Sequence, residues 1–101
     1  MTMNVGEYGN LLRFNVKEDI SSYTELSLEF IDPCQNTLVT VPVIGTSQVV
    51  TDAGTFDANE YVEYTFASTD IDVAGWWKVR VAVTFAAKLL KTDYTRFEVL
   101  A

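Results

Sequence analysis

Asp70-Ile71-Asp72-Val73-Ala74-Gly75-Trp76-Trp77-Lys78-Val79-Arg80-Val81-Ala82-Val83-Thr84-Phe85 decides how the chain is read. A polar turn closes at Gly75, and strict alternation follows. Trp77, Val79, Val81, Val83 and Phe85 fall on one side; Trp76, Lys78, Arg80, Ala82 and Thr84 fall on the other. Period two over that length, rich in β-branched and aromatic residues, predicts a half-buried β-strand at the centre of a sheet.

Working outward, the same period recurs. Asn10–Lys17 places Leu12, Phe14 and Val16 on one side, after an extended lead over Met1–Gly9. Thr24–Ile31 points Leu26, Leu28 and Phe30 inward. Between them, Glu18–Tyr23 reads as a helical turn between sheets, with Ile20 plugging the core. Asp32-Pro33 starts a turn, the Asp bonding back to the backbone. Thr37–Ile44 is a third strand whose Pro42 demands an edge or a bulge, because proline donates nothing to a ladder. Val49–Thr51 is a minimal strand before a turn at Asp52-Ala53-Gly54. Glu60–Phe66 directs Val62, Tyr64 and Phe66 to one side, and Tyr94–Leu100 directs Thr95, Phe97 and Val99 inward. About seven strands, with turn signals every 8–12 residues and no amphipathic helix, predict an all-β, immunoglobulin-like antiparallel β-sandwich. At 101 residues it is expected to be one domain, residues 1–101.

Composition removes several classes of function. The chain contains no His, so acid–base or nucleophilic chemistry would fall to carboxylates or to the single Cys34, which sits in a turn without a base. One cysteine forms no disulfide within the chain. Glu60 and Glu63 differ by an odd number and take opposite faces of a strand. Asp52, Asp57, Asp70 and Asp72 lie in expected loops, but their spacing fits no calcium loop, so they read as solvated turn acids. No enzyme activity, cofactor or metal is expected. No apolar run reaches transmembrane length, and Met1–Glu7 lacks the basic and apolar regions of a signal peptide.

The net charge of −7 repels phosphate backbones, so nucleic acid is not an expected partner. The charge is also polarised. Residues 1–77 hold Arg13 and Lys17 against twelve acids, a net −10; residues 78–101 hold five bases against Asp93 and Glu98, a net +3. Such asymmetry serves solubility, or docks the basic end on an acidic partner. Alternation turns Trp76, Tyr61 and Tyr94 outward. Trp76, Lys78 and Arg80 then lie beside Tyr94, Arg96 and Glu98, and with Tyr61 they form the expected interaction face.

Two stretches carry a resemblance. One runs from Val5 through Asp19-Ile20-Ser21-Ser22-Tyr23 to Phe30; the other is Asp70–Val81, followed by the late strand through Phe97-Glu98-Val99. Together they resemble the immunoglobulin-like domains of tailed-phage virion proteins, notably the N-terminal domain of phage baseplate upper proteins. The resemblance implies a structural protein of a phage particle: a capsid decoration or head-fibre protein, or a tail or baseplate connector. It implies localisation in the virion after assembly in the host cytoplasm, other virion proteins or a second copy as partners, and no catalysis. The competing reading is a carbohydrate-binding or adhesion module that uses the surface aromatics as a sugar platform. A sandwich enzyme with converging carboxylates is a weaker third.

Overall fold

In the computed structural model, residues 2–52 and 54–101 are described, and all regular structure among them is β. The strands are Thr2–Asn4 (β1), Leu11–Asn15 (β2), Glu25–Ile31 (β3), Thr37–Thr40 (β4), Val43–Ile44 (β5) and Val49–Thr51 (β6). They continue as Gly54–Phe56 (β7), Tyr61–Thr65 (β8), Gly75–Thr84 (β9), Leu89–Lys91 (β10) and Thr95–Leu100 (β11). A six-stranded sheet runs β1-β11-β9-β3-β4, with β10 also paired to β9. A three-stranded sheet runs β2-β8-β5, and β6 pairs with β7 as a separate hairpin. The larger sheet is mixed: β1 lies parallel to β11, whereas the other pairs are antiparallel.

The stretch around Trp77 is the central strand that its alternation predicts. β9 pairs with β3 from Glu25↔Thr84 to Ile31↔Lys78, and with β11 from Thr95↔Val79 to Val99↔Gly75. Trp77, Val79, Val81 and Val83 are all buried. Each such side chain contributes about 1.5–3 kcal/mol through removal from water. Ala82 on the opposite row is buried as well, and Phe85 falls just past the strand and is only partly covered. Facing β9 across the core are Leu12, Val62 and Phe66 from the second sheet, in one cluster with Leu26, Leu28, Phe30 and Phe97. Phe30 lies 5.7 Å from Phe66 and 6.1 Å from Tyr64, ring centre to ring centre, so aromatic contacts join the two sheets.

Gly75 begins β9 at φ 131°, a conformation that side chains rarely adopt, and a Cβ there would lie 2.6 Å from the Pro33 ring. That close approach seats the turn before β9 on the turn after β3. The second turn forms as expected. The Asp32 carboxylate accepts from the backbone N–H groups of Cys34 at 2.9 Å and Asn36 at 2.8 Å.

Several segments differ from expectation. Thr37–Ile44 is two strands in two sheets, because at Pro42 the chain leaves the larger sheet as β4 and enters the smaller as β5. Glu18–Tyr23 forms no helix. A single hydrogen bond from Tyr23 N–H to Ile20 C=O makes the turn, and Ile20 is fully buried as expected. The extended lead contains β1, whose Met3 is buried; Met1 lies outside the described residues. Of the turn at Asp52-Ala53-Gly54, Ala53 lies outside the described residues and Gly54 opens β7. Thr95, expected inward, is exposed at the start of β11.

Tyr61 requires a correction. Alternation places it opposite Val62, away from the main core, but it is only 2% exposed. The β6–β7 hairpin and the residues before it fold over that side of β8. The Tyr61 hydroxyl donates to the Ser47 carbonyl at 2.7 Å, and its ring meets Phe56 edge-on at 5.6 Å. Gly45 packs against it so closely that a Cβ would fall 2.0 Å from the ring. Tyr61 is therefore a packing residue with no part in an exposed face.

Candidate interaction face

The antiparallel register of β9 and β11 builds the site. Arg96 stands opposite Lys78, and Glu98 opposite Trp76. Directly opposed residues project to the same side of a sheet, so these four share the outer surface of the larger sheet. Tyr94 precedes β11 and joins them: the Arg80 guanidinium lies 4.5 Å from its ring centre and the Lys78 ammonium 5.6 Å. Arg96 lies 5.7 Å from the Trp76 ring centre. Trp76, Lys78, Arg80, Tyr94 and Arg96 are thus brought into one cluster of alternating cations and π-faces. Each exposed cation–π contact contributes about 0.5–1 kcal/mol, so together with the Glu29 ion pair they bias these side chains toward one arrangement. Trp76 remains 56% exposed. Tyr61, on the other sheet, is not part of the cluster.

β3 supplies what sequence reading missed. Glu29 is opposite Arg80 in the register and accepts from its Nε at 2.7 Å, and the Lys91 ammonium on β10 comes within 3.9 Å of the same carboxylate. Glu29 fixes Arg80 so that the guanidinium lies over Tyr94. On the far side of Glu29 is Val39 of β4, an exposed valine that extends the face toward the sheet edge. Within β3, Glu29 reads as one more outward residue; only strand pairing shows which cation it meets.

The acids considered as catalytic or metal groups lie elsewhere. Glu63 is joined to Arg13 on the neighbouring strand at 2.8 Å. Asp70 accepts from the Tyr64 hydroxyl at 2.5 Å and from Ala67 N–H at 2.7 Å, the local bonding expected of a turn aspartate. Burial, and then the hydrogen bond to Asp70, push the Tyr64 phenol up to about 12. Among the described residues, no group of three His, Cys, Asp or Glu side chains is placed to share a metal ion. No described helix is long and apolar enough to cross a membrane.

Comparison of the chain with protein-family models, with curated proteins and with solved structures returns no match.

Proposed function

We propose that the chain is a non-enzymatic structural domain of a phage particle that binds another particle protein through the outer face of its larger sheet. The observation that carries the binding reading is the ordered cluster of Trp76, Lys78, Arg80, Tyr94 and Arg96, held by cation–π contacts and by Glu29. Exposed Trp, Tyr and Arg held in fixed conformations lose little entropy on binding, and these residue types dominate interface energetics. The cations stand on a chain with twice as many acids as bases, so the face attracts an acidic surface and orients the approach.

The phage assignment rests on the sequence resemblance, and the strand order is compatible with its immunoglobulin-like part. The first strand lies parallel to the last, the last pairs with the long central strand, and a second sheet is built from β2, β8 and β5. The location within a particle, on the head or the tail, follows from the partner. The carbohydrate-binding alternative needs an open aromatic plane, and Arg96 beside the Trp76 ring favours a protein partner over a sugar.

The test is binding of the purified domain to separated heads and tails of the particle that encodes it. One class of particle should bind it, and Trp76→Ala or Arg80→Glu should weaken that binding at least tenfold with the fold intact. Binding should also weaken as salt is raised, because exposed charges are screened beyond about 10 Å at 0.1 M ionic strength. Absence of binding to both fractions would remove the particle reading. A glycan-array signal lost in Trp76→Ala would establish the sugar-binding alternative.

A further inference from the structure

On the side where β2 and β11 face each other, the two sheets leave a groove of about 500 Å³. Leu12 and Phe14 of β2, Val79 of β9 and Phe97 of β11 form its walls and floor. Phe14 remains partly exposed there, as does Phe56 at one end.

Among the described residues, β2 is an edge strand, paired with β8 alone. Phe66 N–H bonds to Asn10 C=O, and Val16 N–H to Glu60 C=O. In an antiparallel ladder the bonded residues alternate, so Leu12 and Phe14 use their backbone groups on β8. The N–H and C=O groups of Leu11, Arg13 and Asn15 consequently point outward along the open edge, where no strand among the described residues pairs with them. Across the groove, β1 covers β11 only from Glu98 to Leu100, leaving Thr95 and Arg96 ahead of it. An unpaired edge beside an apolar channel is a template for one more strand.

The rim identifies the occupant. Arg13 and Lys17 stand at the opening, whereas Arg96, which also borders the groove, turns its guanidinium to the Trp76 ring on the outer face. Arg13 is neutralised by Glu63, but Lys17 has no carboxylate partner among the described residues, although the chain holds fourteen acids against seven bases. Lys17 sits there with φ 64°, a left-handed conformation uncommon for lysine, held by bonds from its N–H to the Glu60 carbonyl and the Asn15 side chain.

We propose that this groove receives an extended acidic segment of another polypeptide, added as a strand along the free edge of β2. Alternate apolar side chains of the segment enter the channel against Phe14, and its carboxylates meet Lys17. The inference stands independently of the phage reading, and Lys17, which follows β2 of the smaller sheet, separates the groove from the Trp76 face.

The test uses a labelled, end-capped seven-residue peptide alternating valine and glutamate, and a second with lysine in place of glutamate, read by fluorescence anisotropy. The glutamate peptide should bind at least tenfold more tightly, and Lys17→Glu should remove most of that preference. Bound peptide should slow amide exchange at Leu11, Arg13 and Asn15. Arg13→Pro, which removes one outward N–H, should weaken binding while exchange within β9 reports an intact fold. Equal binding of the two peptides, no binding, or unchanged exchange in β2 would overturn the proposal. Slow exchange in β2 that appears with protein concentration alone would overturn it too, assigning the groove to a second copy.

Discussion

Single residues show how far alternation reaches. Trp76 and Trp77 are adjacent and chemically identical, yet one is 56% exposed and the other 2%, because successive side chains of a strand leave opposite faces. The buried Trp77 still satisfies its indole N–H, which donates to the Val73 carbonyl at 3.0 Å. Tyr64 and Tyr61 show the limit. Both belong to β8 and their ring environments depend on other segments: Tyr64 meets Asp70 and Phe30, and Tyr61 meets Gly45 and Phe56. Tyr64 also carries a pH dependence. Its folded pKa of about 12 lies above the ordinary tyrosine value near 10, so the folded state holds this proton more tightly than the unfolded one. That contribution is complete below about pH 10 and is lost as pH rises toward 12. Tyr64→Phe should flatten the decline of melting temperature in that window, measured against the parent. An unchanged decline would place the alkaline sensitivity elsewhere.

Among the elements, long alternating strands were legible and short ones were not. β3, β8, β9 and β11 follow from periodicity to within a residue or two. β1, β7 and β10 have three residues each, too few for a period; β1 and β10 exist because a longer neighbour offers its edge, and β7 pairs with the equally short β6 across a turn. Thr37–Ile44 reads as one strand because Pro42 by itself fits an edge or a bulge as well as a break between two strands. The missing N–H of Pro42 explains why the ladder stops, but the move into the other sheet depends on where β8 lies. The β6–β7 hairpin is the element whose packing changes the site, since it takes Tyr61 out of the surface. Its seating depends on the absence of a side chain at Gly45. Gly45→Ala should therefore lower stability by about 1–3 kcal/mol, the usual cost of forcing extra volume into a packed place. Chemical denaturation measures this, and a parallel rise in Tyr61 solvent accessibility would identify the displaced ring. A variant as stable as the parent would show that the hairpin seats without this contact.

For the whole molecule, stability should be graded from the middle of the larger sheet outward. β9 and β3 share a seven-residue ladder and contribute most of the apolar wall, whereas β10, β1 and the β6–β7 hairpin are short and peripheral. Amide exchange should be slowest at Leu28, Val79 and Val81, opening only with global unfolding, and faster in the three peripheral elements. Equal protection throughout would contradict this ordering. Charge is also distributed at this scale. Of the basic residues that are late in sequence, Lys78, Arg80, Lys91 and Arg96 converge on one face because β9, β10 and β11 are neighbours, whereas Arg13 and Lys17 belong with the smaller sheet and border the groove.

By itself the sequence determined the all-β class, the central strand, and which row of that strand faces water, because these depend on a side-chain period that one strand displays without help. It also indicated Trp76, Lys78, Arg80, Tyr94 and Arg96 as one face, since two antiparallel strands close in sequence pair in few registers. Tertiary structure alone decided that Tyr61 is covered, that Glu29 holds Arg80, that β1 runs parallel to β11, and that an open edge lies beside Lys17. Each of these depends on which distant segment becomes a neighbour, and that is set by how the two sheets bury their apolar rows against each other.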